Sequence, residues 1–233
     1  MARIQEAPKT SVSLERLSKF FYANRLVLLS SLVLVATLVI GYFVFAEIQK
    51  GRIARATFAA EVIQAEHARW RNEESQEIKV GFEQILLARM AQAIRKYPRL
   101  YAAQRSYYVR GSLFFEKGEW ALAAEDFAQL SASFPRSYLA PLSLFNAAVC
   151  QEMLAIDDAA IQYYLRVPNS YPDNHLAAHA LFSVGRLHEQ DGNKSAAVAA
   201  YARIEDDYAA SDWAKMAKNR VIYLRAQDQA DGS

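Results

Sequence analysis

A self-similarity at a spacing of 37 residues constrains this chain more than any other feature. Shifting the stretch from Tyr101 to Ala209 by 37 positions lays like on like. Gly111, Ala148 and Gly185 superpose, as do Ala123, Ala160 and Ala197. Phe127, Tyr164 and Tyr201 follow, then Leu130, Val167 and Ile204, then Pro135, Pro172 and Ala209. Small residues recur where two helices must touch closely, and each aromatic lies four positions after an alanine, on the same helical face. Proline at the end of two units stops a helix, because it disfavours helical backbone in the residue before it. Each unit has room for two helices, and neither can bury an apolar face alone. Stacked units bury it for one another, so the pattern predicts an all-α chain with a helical-hairpin solenoid.

Several of these residues resemble the tetratricopeptide repeat. Tyr107, Gly111, Phe114, Gly118, Trp120, Ala123, Phe127 and Pro135 follow that motif in the first unit. The second unit has Ala148 and Ala155 where the motif carries glycine, and the third ends in Ala209 instead of proline. The period exceeds the family's usual length of about 34. Three segments are similar to envelope proteins such as the Tol-associated periplasmic coordinator. These are Phe134-Pro135-Arg136-Ser137, Tyr171-Pro172-Asp173-Asn174 and the closing Asp212-Trp213-Ala214-Lys215. The resemblance covers residues 77–226.

A second feature lies upstream. Leu26 to Ala46 carries no charge over 21 residues. As a helix it would be about 31 Å long, enough for a hydrocarbon core. Ser30, Ser31 and Thr37 are its polar side chains, and their hydroxyls can bond back to the helix. Tyr22 and Tyr42 suit the interfaces. Val44-Phe45-Ala46 would admit a cleavage site, but the apolar run is longer than that of a usual signal peptide, so a retained anchor is expected. Arg16, Lys19 and Arg25 before the span are matched by Lys50, Arg52 and Arg55 after it. Arg3 and Lys9 tip the balance towards a cytoplasmic N-terminus. The repeat domain would then be periplasmic, on the far side of a bacterial inner membrane. Residues 1–12 read as a tail. Ser13 is placed to cap a short helix with Leu14, Leu17 and Phe21 on one face, either an interfacial flank or a docking helix.

The expected plan has five parts: tail and juxtamembrane helix (1–25), transmembrane helix (26–46), N-terminal helical hairpin (47–97), three repeats with a capping helix (98–226), and a frayed tail (227–233). In the hairpin, Ile53, Ala56, Ala60, Ile63, His67 and Trp70 form an apolar stripe, with Gly51 as the one breaker. Ser75 is a candidate N-cap for the next helix, which runs to Tyr97. Gly81, Met90, Ala93 and Pro98 lie 37 before Gly118, Phe127, Leu130 and Pro135, whereas Glu73, Glu74 and Glu77 break the pattern. The hairpin therefore reads as a degenerate repeat. Beyond the repeats, Ala214, Ala217, Val221 and Leu224 give the last helix one apolar face to cover the open end.

Composition narrows the function classes. Of 27 basic and 25 acidic residues, five and two lie before the span, leaving 22 and 23. A near-neutral globular part fits neither a nucleic-acid binder nor an acidic-ligand trap. The single cysteine, Cys150, excludes an intrachain disulfide and reads as a buried thiol. His175 and His179 are four apart, but Leu176-Ala177-Ala178 supplies no glutamate for a zinc-protease motif, and a solvated helix start is the expectation. No phosphate loop, paired cysteines or nucleophile-base spacing is present, so neither catalysis nor a metal or other cofactor is expected.

The informative residues form columns beside the core pattern: Arg105, Leu142 and His179; Tyr108, Phe145 and Phe182; Ser112, Val149 and Arg186; Phe115, Glu152 and Glu189. The tetratricopeptide resemblance implies that the aromatic column faces a concave groove where partners lie. The lysines and asparagines of the family's peptide-carboxylate clamp are not matched, apart from Asn146 nearby. An aromatic and aliphatic groove suits an apolar or helical protein segment. The alternative is that these rings pack between neighbouring helices. A single span followed by helical repeats is similar to the ancillary subunit of the bacterial Sec translocon. That likeness implies a membrane-anchored interaction module, a scaffold or chaperone-like factor for envelope or exported proteins. The alternative is a structural homo-oligomer, built through the 47–71 helix into a flagellar, secretion or division assembly.

Overall fold

The computed structural model describes residues 18–231, with no strand among them. Ser13, Leu14 and Leu17 of the expected juxtamembrane helix lie outside the described residues, and residues 18–23 are helical. Nine longer helices follow among the described residues: α1 (Arg25–Asn72), α2 (Gln76–Lys96), α3 (Tyr101–Glu116), α4 (Trp120–Ser133), α5 (Ala140–Met153), α6 (Asp157–Ser170), α7 (Leu176–Gln190), α8 (Lys194–Asp207) and α9 (Asp212–Asp231). The chain divides into two compact units, Met1–Ala54 and Arg55–Ser233.

In the first unit the apolar side chains from Leu26 to Phe45, apart from half-buried Leu28, stand exposed around the helix. The hydroxyls of Ser30, Ser31 and Thr37 donate to the carbonyls of Val27, Leu28 and Val33 at 2.9, 2.9 and 2.8 Å. Each polar group is thereby satisfied within the helix itself. α1 is long and apolar enough here to cross a membrane by length and composition. Gly51 does not break it.

The second unit is a series of helical hairpins. Ala56, Ala60, Ile63 and Trp70 of the expected stripe are buried. Ala56, Ile63 and Trp70 pack with Leu86 and Met90 of α2 and with Val109 and Leu113 of α3. Ser75 caps α2, its hydroxyl accepting from the Ile78 N–H. Downstream, α3 packs on α4, α5 on α6 and α7 on α8, while α9 covers α8. The small residues sit where helices cross. A Cβ on Gly111 would stand 3.0 Å from the Phe127 ring, and one on Gly185 only 2.5 Å from Tyr201. At the equivalent place Ala148 carries its Cβ and is buried with Tyr164. Cys150 is buried and free, and burial pushes its thiol up to about 12.

Two kinds of turn recur. Within the hairpins, Gly118 and Gly192 both have φ +76°. Ala155 holds the same place at φ 56° and makes the same bonds, its own N–H to the Glu152 carbonyl and that of Ile156 to Gln151. Between hairpins, the N–H groups of Tyr97, Phe134, Tyr171 and Tyr208 each donate to the carbonyl four residues back. Ser137, Asn174 and Ser211 then use their side-chain oxygens to accept from Leu139, Leu176 and Ala214 N–H groups. The serine or asparagine of these endings thus satisfies an orphan donor at the next helix start. The final helix buries Ala214, Ala217, Val221 and Leu224. It runs on to Asp231, past the point where a frayed tail was expected, and the Gln227 amide donates to the Tyr223 hydroxyl at 2.7 Å.

Candidate partner-binding surface

In each hairpin the first helix turns its small residue to the second. The position three before that small residue is an aromatic beside the contact. Tyr108, Phe145 and Phe182 meet the buried rings of Phe127, Tyr164 and Tyr201, with centroids 5.9, 5.1 and 5.2 Å apart. Each therefore leans on the core while keeping an edge outside it. Arg105, Tyr108, Ser112, Leu142, Phe145, Val149, Glu152, His179, Phe182, Arg186 and Glu189 are all half-buried.

These residues fall into two recesses. The first, of about 390 Å³, gathers Phe145, Val149, Glu152, His179, Phe182 and Arg186 from α5 and α7. Its walls are mostly apolar. Tyr164, Met153, Ser183 and Trp213 complete it, and none of these was among the expected partner-binding residues. Trp213 matters most. It stacks on His179 at 4.0 Å and 10°, and lies 5.1 Å from Phe182. His179 is thus held between Trp213 and Phe145, centroid to centroid 4.6 Å, and is not the solvated helix-start residue expected. Burial, then the nearby Arg186, pushes its imidazole below its usual range, with Glu152 opposing. His175 is exposed at the helix start. The sequence held a signal for Trp213: Leu139, Leu176 and Trp213 form one more large apolar column at 37.

Charge is confined to the edge of this recess and is already paired. Glu152 accepts from Arg186 at 2.5 Å and from the Tyr164 hydroxyl. Burial and that carboxylate both push the Tyr164 phenol up, so it stays a donor. Next along the solenoid, Glu189 accepts two bonds from Arg220, at 3.0 and 2.7 Å. Ion pairs of this kind tie neighbouring hairpins together without leaving a charge to bind a ligand.

The second recess, of about 400 Å³, takes Arg105, Tyr108 and Ser112 from α3 together with Gln64, His67 and Arg71 from α1. Leu142 and Glu189 line neither recess. Two larger clefts, of about 550 and 630 Å³, lie at the turns between hairpins. Their Ser137, Asn174 and Ser211 are already used as helix caps. Among the described residues no three His, Cys, Asp or Glu side chains converge as a metal site would require.

Residues 142–174, which span α5, α6 and the turn after them, match the tetratricopeptide repeat family. No curated protein matches the chain. The match covers one hairpin of the series and supports a tetratricopeptide repeat there and, with it, a protein–protein interaction module.

Proposed function

We propose that the chain is a membrane-anchored interaction module. In this reading Leu26 to Ala46 spans a bacterial inner membrane with the N-terminus cytoplasmic. The periplasmic repeats act as a scaffold or chaperone-like factor for envelope or exported proteins. The captured element is an apolar, helical protein segment seated against Phe145, Val149, Phe182 and Trp213. The observation that carries this is the mostly apolar recess whose edge charges, Glu152 and Arg186, already satisfy each other. A recess of that kind offers aromatic anchors and no free charge, which favours an apolar guest over an acidic or basic one.

The test places a photo-crosslinking residue at Val149 of the full chain in membranes, with exposed Asp158 as the control site. Crosslinks to protein partners should form from position 149, be nearly absent from 158, and fall with Phe145→Ala and Phe182→Ala. Each truncation should cost about 1–3 kcal/mol of stability, because the rings are half-buried and each adds an aromatic pair. Equal crosslinking from both positions would remove the recess as the partner surface.

A structural oligomer in a larger envelope machine is the second reading. The 47–71 stripe offers it little, since Ala56, Ala60, Ile63 and Trp70 are buried within the fold. Phe58, on the same helix and 67% exposed, favours it. Phe58→Ser should break a higher-order assembly in this reading, and leave size unchanged in the first.

A further inference from the structure

Each hairpin of the second unit begins and ends on the side where α1 enters it, so the turns between hairpins form one edge. Phe58 and Val62 of α1 share a small recess there with Lys96 and Tyr97 at the end of α2. The Gln104 amide of α3 donates to the Ser137 hydroxyl in the next turn at 2.6 Å, and the Tyr171 hydroxyl donates to the Pro135 carbonyl at 2.7 Å. Charge is uneven along this edge. Its first two turns bring exposed Lys96, Arg99 and Arg136, and exposed Arg55 stands one helical turn before Phe58. Among the described residues no carboxylate pairs with any of these four. Lys96 lies over the Tyr97 ring at 5.5 Å, and Arg89, at the same recess, is taken by Glu66. Glu61, close enough to act on the Tyr101 hydroxyl, is the opposing charge. The last two turns carry exposed Asp173 and, at the start of α9, Asp212. Two rings stand among the cations, Phe58 at 67% and Tyr138 at 68% exposure.

We propose that this edge rests on the anionic lipid surface of the membrane that anchors the chain, with Arg55, Lys96, Arg99 and Arg136 on headgroup phosphates and Phe58 and Tyr138 at the interface. The proposal depends on the reading that Leu26 to Ala46 spans the membrane. Two observations select a lipid surface over an acidic protein. Arg55 lies nine positions after Ala46, so the chain holds this edge within about 31 Å of the hydrocarbon boundary at any extension. That tether keeps lipid at high effective concentration. Exposed rings between cations also suit an interface, where aromatic bodies enter and charges stay wet. A basic residue close to an anionic surface favours contact about fivefold. Four such residues opposed by Glu61 leave three net charges, which favour an anionic over a neutral surface about a hundredfold.

The experiment reconstitutes the full chain in nanodiscs of phosphatidylcholine, with or without phosphatidylglycerol, carrying a nitroxide on some headgroups. A fluorophore is attached at Ser133→Cys, where α4 ends on this edge, or at Asp191→Cys, in the turn within the last hairpin on the opposite side. Cys150 is buried and stays unlabelled. Quenching at position 133 should at least double when phosphatidylglycerol is present, and return to the phosphatidylcholine level at high salt. Position 191 should not respond. Arg99→Gln combined with Arg136→Gln should weaken contact about 25-fold and remove most of the gain. Lys215→Gln combined with Lys218→Gln removes the same charge from α9 and should leave the gain intact. Phe58→Ser should reduce quenching in the anionic discs. A chain that elutes apart from the discs overturns the anchor reading and this proposal together. A chain that stays in the discs, with position 133 quenched equally in both lipids or position 191 quenched as strongly, overturns the proposal alone.

Discussion

Replacing Gly185 by alanine tests the hairpin packing at its tightest point. The new Cβ would lie 2.5 Å from Tyr201 Cε1, 2.7 Å from Cζ and 2.8 Å from Cδ1. Carbon atoms pack at about 3.5–4.0 Å, so the ring must retreat by about 1 Å. It has little room, being 1% exposed and braced by Phe182 at 5.2 Å. Overpacking a full core by a methyl costs about 1–3 kcal/mol. Alanine in a helix interior is more favourable than glycine by about 1 kcal/mol, which offsets part of this. The net loss should be about 1 kcal/mol, or a fall in Tm of about 2–4 °C for a unit of this size. Gly111→Ala is the internal comparison. Its Cβ would meet Phe127 at 3.0–3.2 Å, a smaller displacement, and the helix gain should nearly cancel the cost. The assay is thermal unfolding of the full chain in micelles, followed by circular dichroism. A Gly185→Ala chain melting at or above the wild type, or a larger fall for Gly111→Ala, would refute the packing argument.

Other outcomes follow from the same structure. Ala155 pays for a left-handed φ of 56° that Gly118 and Gly192 adopt freely. Ala155→Gly should therefore stabilise by about 0.5–1 kcal/mol, while Gly192→Ala should lose a similar amount. Burial, with Arg71 and Arg105 nearby, pushes His67 from 6.5 down to about 4. As pH falls through 6.5 the unfolded chain takes up this proton first, so stability drops between 6.5 and about 4 and then levels off. Tm should be lower at pH 5 than at pH 7.5, and His67→Gln should flatten that difference; an unchanged slope would clear His67 of the effect. Protease added to spheroplasts should digest the chain beyond Glu47 and spare the N-terminal tail, and digestion of the tail alone would reverse the proposed orientation.

The sequence alone determined the hairpins, because helical packing leaves a periodic record. Gly111 and Gly185 leave space for the Phe127 and Tyr201 rings against the opposite helix, as Ala148 does for Tyr164, so this column of small residues was readable without coordinates. The uncharged run from Leu26 and the cap at Ser75 were legible for equally local reasons. The aromatic column was legible as a column, but whether it served core or surface was not. Tyr108, Phe145 and Phe182 do both, each resting on a buried ring while remaining half-exposed, and periodicity does not encode that division. Tertiary structure alone decided the contents of the two recesses. Trp213 reaches Phe182 and His179 because α9 folds back across α7, from 31 and 34 positions away in the chain. Glu116 lines one recess with both Arg71 and Arg105, and it is Arg71, from the distant α1, that pairs with it. Helix propensity and spacing act over one or two turns. Charge pairing and recess shape depend on which distant helices become neighbours, and that is settled only when the hairpins stack.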